Sequence, residues 1–273
     1  EVTEENPRLV GQLKIDAQKG SELHVFELFD GDAEGGYVNL LQYIEAEEDA
    51  KVTISKVQIH GEGVRHIDQR LSQESTRAKV KFVSSEVGGK QNLIYVRSNL
   101  DYDEADFTSA SMYLGSDDQL FDYSYWVPTK GCKTNTDILT TGALMGTSKK
   151  YFRGTIDFLR GGKKAVGNES DVCLLLNKGV HSISVPLLLC KEDDVVGNHA
   201  SSSGQLDKDM RRGFNEAGAQ LIIVESNIRP VIDQLGDEDL ENKALQAVRT
   251  KMQFCHQKGN CNDKCTQRFP NLD

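Results

Sequence analysis

The chain has 273 residues, enough for one large domain or two, and a 38% hydrophobic content that allows a buried core. A formal charge of −10 and an isoelectric point near 5.2 argue against a nucleic-acid surface, which needs a concentrated basic face that the Arg211-Arg212 pair does not supply. No apolar run approaches the roughly 18–20 residues that cross a bilayer, and the start EVTEENPRL is acidic and polar where a signal peptide is basic and then apolar, so the chain reads as soluble and cytoplasmic.

From Gly11 to about Val196 the chain repeats one theme: short alternating apolar runs separated by Gly, Asp, Asn and Ser. Leu13/Ile15, Leu23/Val25, Val52/Ile54, Val57/Ile59, Val80/Phe82, Ile94/Val96, Ile156/Phe158 and Ile183/Val185/Leu187 are examples. Alternation at period two puts one set of side chains on a buried face, which predicts strands. Helical crossovers are too scarce for a doubly wound fold, leaving a sandwich or a β-solenoid. A strand-to-strand spacing of roughly 10–13 residues fits a coil of about 20–25 residues per turn.

After Leu206 the period changes. Leu221, Val224, Ile228, Val231 and Leu235 make one helical stripe, which Pro230 is expected to kink or divide. Asp237 is the expected N-cap of a second helix, with Glu238, Asp239 and Glu241 at the positive end of its dipole and Leu240, Ala244, Val248 and Met252 on its buried side. The expected division is a β core over 1–205, a helical region over 206–252 and a cysteine-containing tail over 253–273.

Five pieces in fixed order carry a family likeness: Tyr151-Phe152-Arg153-Gly154, the triplet Leu174–Leu176, Ser184-Val185-Pro186-Leu187, Gly197-Asn198-His199-Ala200 and Gly204-Gln205-Leu206-Asp207. Together they resemble the core of the SufB/SufD family of iron–sulfur cluster assembly proteins. The resemblance implies a right-handed parallel β-helix core and a non-enzymatic subunit on whose complex an iron–sulfur cluster is transiently assembled. It also implies two partners: a SufC-like ABC-type ATPase docked on the C-terminal helices, and a second SufB/SufD-type protomer in a homo- or heterodimer. Two features depart from the family pattern. The β core begins almost at once, where most members first carry a helical domain, and Asp209-Met210 runs directly into Arg211-Arg212-Gly213-Phe214.

His199 follows the acidic run Glu192-Asp193-Asp194 in a Gly/Asn/Ser-rich stretch read as a turn. A neutral imidazole presented there suits iron or zinc, whereas a surface histidine that only forms hydrogen bonds is the alternative. The resemblance places it on the histidine that SufD members hold at the interface with their partner. SufB members carry a cysteine just before the leucine triplet. Ungapped alignment puts Asp171 there, with Cys173 two residues on and on the same strand face. Cys173 then either supplies a thiolate to the cluster or packs as a small hydrophobe. SufB members follow their histidine with a carboxylate, and Ala200 is not one, so the site is more SufD-like.

Six scattered cysteines do not form a disulfide framework, and reduced thiols are expected. Cys190 ends an apolar strand and is expected to be packed; Cys132 lies in a basic turn with no base beside it and is read as a plain loop cysteine. Cys255, His256, Cys261 and Cys265 form the one dense ligand cluster, readable as a metal site or as a flexible reduced tail. There is no GxxxxGK[ST], GxSxG or HExxH motif, so ATP hydrolysis is expected in a partner. Rival readings are a β-helix carbohydrate-active enzyme of the polysaccharide lyase kind, using Asp30–Glu34, Glu45–Asp49 or Asp101–Asp106, and a zinc-binding structural protein relying on the tail.

Overall fold

Short runs of β-branched and aromatic residues broken by Gly, Asp and Asn form fourteen strands and two helices among the described residues of the computed structural model, 1–205 and 216–257. One parallel sheet holds β1 (Arg8–Ala17), β3 (Tyr37–Ala46), β5 (Arg65–Glu74), β7 (Gln91–Asn99), β9 (Leu120–Thr129), β11 (Lys149–Phe158) and β13 (His181–Cys190), in that order. The other holds β2 (Glu22–Phe29), β4 (Lys51–Gln58), β6 (Lys79–Glu86), β8 (Asp106–Gly115), β10 (Asn135–Leu144), β12 (Ala165–Leu175) and β14 (Val195–Gln205). Each turn of the chain contributes one strand to each sheet, so the body is a β-solenoid, the fold class the sequence implied. Arg8 pairs with Tyr37, Tyr37 with Arg65, Arg65 with Gln91 and Lys149 with His181, so one turn takes 26–32 residues. That exceeds the expected 20–25 or so, because the strands run 8–11 residues and the corners add more.

The corners after the odd strands repeat one device. Asp49, Arg77, Glu104, Lys133 and Lys164 all adopt φ between 55° and 61°. Each donates its backbone N–H to a carbonyl of the next turn: Thr76, Asp103, Cys132, Lys163 and Asp194 respectively. A fully buried small residue follows four of them, at Ala50, Ala78, Ala105 and Ala165. Left-handed non-glycine residues are costly, and each is held here by its cross-turn hydrogen bond.

The lumen is filled by inward-facing apolar and aromatic side chains, among them Ile54, Phe82, Phe107, Tyr113, Phe121, Tyr123 and Phe152. It is not uniformly apolar. In β5 the inward residues are His66, Asp68, Arg70, Ser72 and Glu74, all buried, while Ile67 and Leu71 face out. The ions are compensated: Lys56 Nζ lies 2.5 Å from Asp68 and 2.6 Å from Glu86, and Arg70 lies 2.9 Å from Glu27 and 3.1 Å from Asp68.

Helices α1 (Glu216–Ile232) and α2 (Glu238–Gln257) lie on the outer face of the even sheet, α1 over β6, β8 and β10 and α2 against β4. Their apolar stripes bury Val57, Val83, Ala110, Met112, Ala143 and Met145 in a second core shared with Val224, Ile228, Val231, Leu240, Ala244 and Val248. Pro230 falls in the last turn of α1, which continues through it to Ile232, so it does not divide the helix. Asp237 caps α2 as expected, its Oδ1 accepting the Leu240 amide at 2.9 Å. Polar bonds pin both helices to the coil: Asn227 donates to the Gly142 carbonyl, Thr141 donates to the Asn227 carbonyl, and Lys251 Nζ donates to Val87 O, Leu114 O and Gln119 Oε1. No described helix is long and apolar enough to cross a membrane.

Candidate functional site at the open end of the coil

Among the described residues β13 and β14 end their sheets, so the last turn is covered on one side only. His199 lies within β14, not in a turn. Gly197, Asn198 and the serines have poor strand propensity, but the ladder with β12 from Ala165/Val195 to Leu175/Gln205 overrides it. Gly197 stands against Leu188 and Phe158, so it points into the coil, and His199, two residues on, shares that face. His199 is nevertheless exposed, because among the described residues no further turn lies above it.

The ladder places His199 beside Glu169, Ser201 beside Asp171 and Ser203 beside Cys173. Asp171 and Cys173 share the inward face of β12 as the sequence implied, and both are 1% exposed. Lys150 Nζ of β11 forms a buried ion pair with Asp171 Oδ2. Burial pushes the Cys173 thiol pKa up, against the opposing pull of the Tyr113 and Ser182 hydroxyls and the Lys150 charge. Cys173 is therefore a buried thiol, not a thiolate, in this state. Tyr113 of β8, deeper in the coil, is pushed up too, first by burial and then by the thiol and Asp171.

Glu169 carries no signal in any of the motifs, yet it is the residue beside His199. It is 2% exposed, and neither carboxyl oxygen has a side-chain hydrogen-bond partner. Burial and the neighbouring Asp171 charge push its pKa up to about 8, with only the Leu187 backbone favouring its ionised form. Its carboxyl fills the space left by Gly154: a Cβ at that glycine would lie 1.1 Å from Glu169 Oε1. The glycine of the Tyr151–Gly154 motif is thus the seat of a buried carboxyl. The one sequence signal for Glu169 was the glutamate at an inward-facing strand position.

Ile183, Val185 and Leu187, read from sequence as a buried alternating set, face outward and are 43–50% exposed. The inward positions are Ser182, Ser184, Pro186 and Leu188, paired with Lys150, Phe152, Gly154 and Ile156. Alternation identifies a face without saying which side of the sheet it takes, and in the last turn the apolar face is the outer one. Cys190, expected to be packed, is exposed for the same lack of a covering turn. Cys132 is half-buried in a corner, its thiol directed at the Gly161 carbonyl at 3.2 Å.

Cys255 and His256 fall on the last turn of α2, while Cys261 and Cys265 lie outside the described residues, as do Asp209 and Arg211–Phe214. Among the described residues no group of three or more His, Cys, Asp or Glu side chains converges to hold a metal ion. Trp126, the chain's single tryptophan, is 39% exposed, and the Arg97 guanidinium lies 4.4 Å from its ring centroid.

The SUF system FeS cluster assembly, SufBD core domain model matches residues 2–227. The chain is similar to the iron–sulfur cluster assembly protein SufD of Bacillus subtilis (strain 168), with 21% identity over 220 residues, 78% of this chain and 50% of that protein. It is similar also to proteins of the same name from Plasmodium berghei (strain Anka), with 23% identity over 253 residues, and Plasmodium falciparum (isolate 3D7), with 25% over 254. Those alignments take in 89% of this chain and 18% and 17% of the two proteins, so the chain spans half or less of each relative's length. A domain match over most of the length, on a parallel β-solenoid carrying the motif histidine in its last turn, establishes that this chain belongs to the SufBD core family of the SUF iron–sulfur cluster assembly system.

Proposed function

We propose that this protein is a non-catalytic subunit of a cytoplasmic iron–sulfur assembly complex, SufD-like in its site, which presents ligands for a cluster that is its cargo. The observation that carries this reading is the position of His199, exposed on the inward face of the last turn of a coil that no other described residue covers. A second SufB/SufD-type protomer, identical or distinct, docks there. β13 and β14 offer free strand edges, and Ile183, Val185, Leu187 and Leu189 form an outer apolar row 43–50% exposed, the surface of a sheet that awaits a partner. With a second protomer in place, His199, Cys173 and Asp171 supply the near half of a ligand set that the described residues of one chain do not complete.

The ATPase partner, of the SufC-like ABC class, docks on the outer side of the helical region. The inner side of α1 and α2 is consumed by the coil, so among the described residues of the helices Ile222, 47% exposed, is the large apolar side chain offered to that contact. The Asn227 and Lys251 bonds to the coil then carry a shift of the helices directly into the β body.

His199→Ala tests the site. An exposed strand residue of this kind alters stability by less than about 0.5 kcal/mol, so the variant folds and keeps its partners. Loss of a true ligand lowers activity about 10–100-fold, and cluster assembly in anaerobic reconstitution falls accordingly. Assembly at the wild-type rate by this variant overturns the assignment.

A further inference from the structure

Glu169 takes no part in the reading above. We propose that its carboxylate, together with the His199 imidazole, receives a divalent first-row metal ion of the ferrous class at the mouth of the coil. The inference rests on the proposed function and adds to it a residue that the SufB/SufD motifs do not mark.

Three independent features meet at this carboxyl. It is 2% exposed and no side chain bonds or neutralises either oxygen, an arrangement costly enough that a purely structural position would carry an apolar or amide side chain instead. It has a seat, since Gly154 leaves open the volume its Oε1 occupies. And it stands in register with His199, on the neighbouring parallel strand and on the same inward face. Adjacent strands lie about 4.8 Å apart, a span that a carboxylate and an imidazole bridge when each binds one metal at about 2.0–2.2 Å. Asp171, two residues on, is different: in the single chain its charge is answered by Lys150, so of the two buried carboxyls on β12 Glu169 is the one with no cation beside it. Imidazole with carboxylate suits iron(II) and manganese(II), and thiolate-free pairs of this kind do not select copper(I). The metal draws the carboxylate from the Gly154 seat toward the open end, and water or the second protomer fills the remaining positions.

The test is anaerobic titration of the purified full chain with iron(II) alone by calorimetry, and with manganese(II) alone by electron paramagnetic resonance. Wild type binds one ion, and Glu169→Gln, which keeps the shape of the side chain, binds about 10–100-fold more weakly while its metal-free melting temperature does not fall. Glu169→Asp retains part of the affinity, a graded response that a packing role does not produce. Wild-type affinity in Glu169→Gln alongside weak binding in His199→Ala overturns the inference and leaves the proposed function standing. No binding by wild type overturns it too, while the assembly assay on His199→Ala still decides the proposed function separately.

Discussion

Glu169 and Gly154 face each other across the lumen from opposite sheets, the carboxyl of one occupying the place of the missing side chain of the other, 1.1 Å from where a Cβ would stand. Gly154→Ala therefore forces a buried carboxyl out of its seat. Overpacking of this size costs about 1–3 kcal/mol. The double variant Gly154→Ala/Glu169→Ala recovers most of that loss, and a denaturation double-mutant cycle measures the coupling. Additive effects would separate the two residues.

The Lys150–Asp171 pair is fully enclosed, with both side chains no more than 1% exposed. Lys150→Met leaves Asp171 charged and unpaired, and removal of one partner of a buried pair costs about 3–5 kcal/mol. Lys150→Met/Asp171→Leu is expected to lie closer to wild type than Lys150→Met alone. Urea unfolding of the three proteins checks the order.

Glu74 supplies a pH dependence. Burial pushes its carboxyl up to about 8, against the Ser72 and Ser98 hydroxyls that donate to it at 2.7 and 2.9 Å. The folded chain thus holds a proton that the unfolded chain gives up near its ordinary value of 4.5. The favourable contribution is fully present below pH 4.5 and is lost as pH rises through 8, so this group makes stability fall across that window. Glu74→Gln, which cannot lose a proton, flattens the slope between pH 5 and 8 and raises the melting temperature at pH 8 by a few degrees, about 1 kcal/mol. An unchanged slope by calorimetry would count against it.

Cysteine labelling separates the two thiols of the terminal turns. Cys190 is exposed, while Cys173 is buried and its pKa is raised. Iodoacetamide on the native chain, read by peptide mass, is expected to modify Cys190 at least about tenfold faster than Cys173. Equal rates would mean that the terminal turn opens readily.

Removing the helices would not leave a clean β body, because Val57, Val83, Ala110 and Met112 would be laid bare. The ATPase contact is better probed by Ile222→Asp on the exposed side of α1. That variant keeps its melting temperature and loses ATPase capture; full capture would place the contact elsewhere.

The solenoid was legible because the alternating runs and scarce helices left few architectures, and the motif order chose among them. One further signal went unread. A left-handed residue followed by a buried alanine recurs at Asp49-Ala50, Arg77-Ala78, Glu104-Ala105 and Lys164-Ala165, marking the coil period more clearly than the apolar runs do.

The sequence by itself determined strands, two helices with the cap of the second, and the presence of His199, Asp171 and Cys173 on one motif-bearing stretch, since these follow from local periodicity and residue chemistry. Which side of each strand faces the lumen was decided only in three dimensions. Ile183, Val185 and Leu187 turn outward, whereas Asp68 and Arg70 turn inward, because a face is buried by what packs against it, and ion partners such as Lys56, Glu86 and Glu27 come from other turns of the coil. For the same reason only the tertiary structure set Glu169 beside His199: the two are thirty residues apart in the chain and become neighbours through one turn of the solenoid.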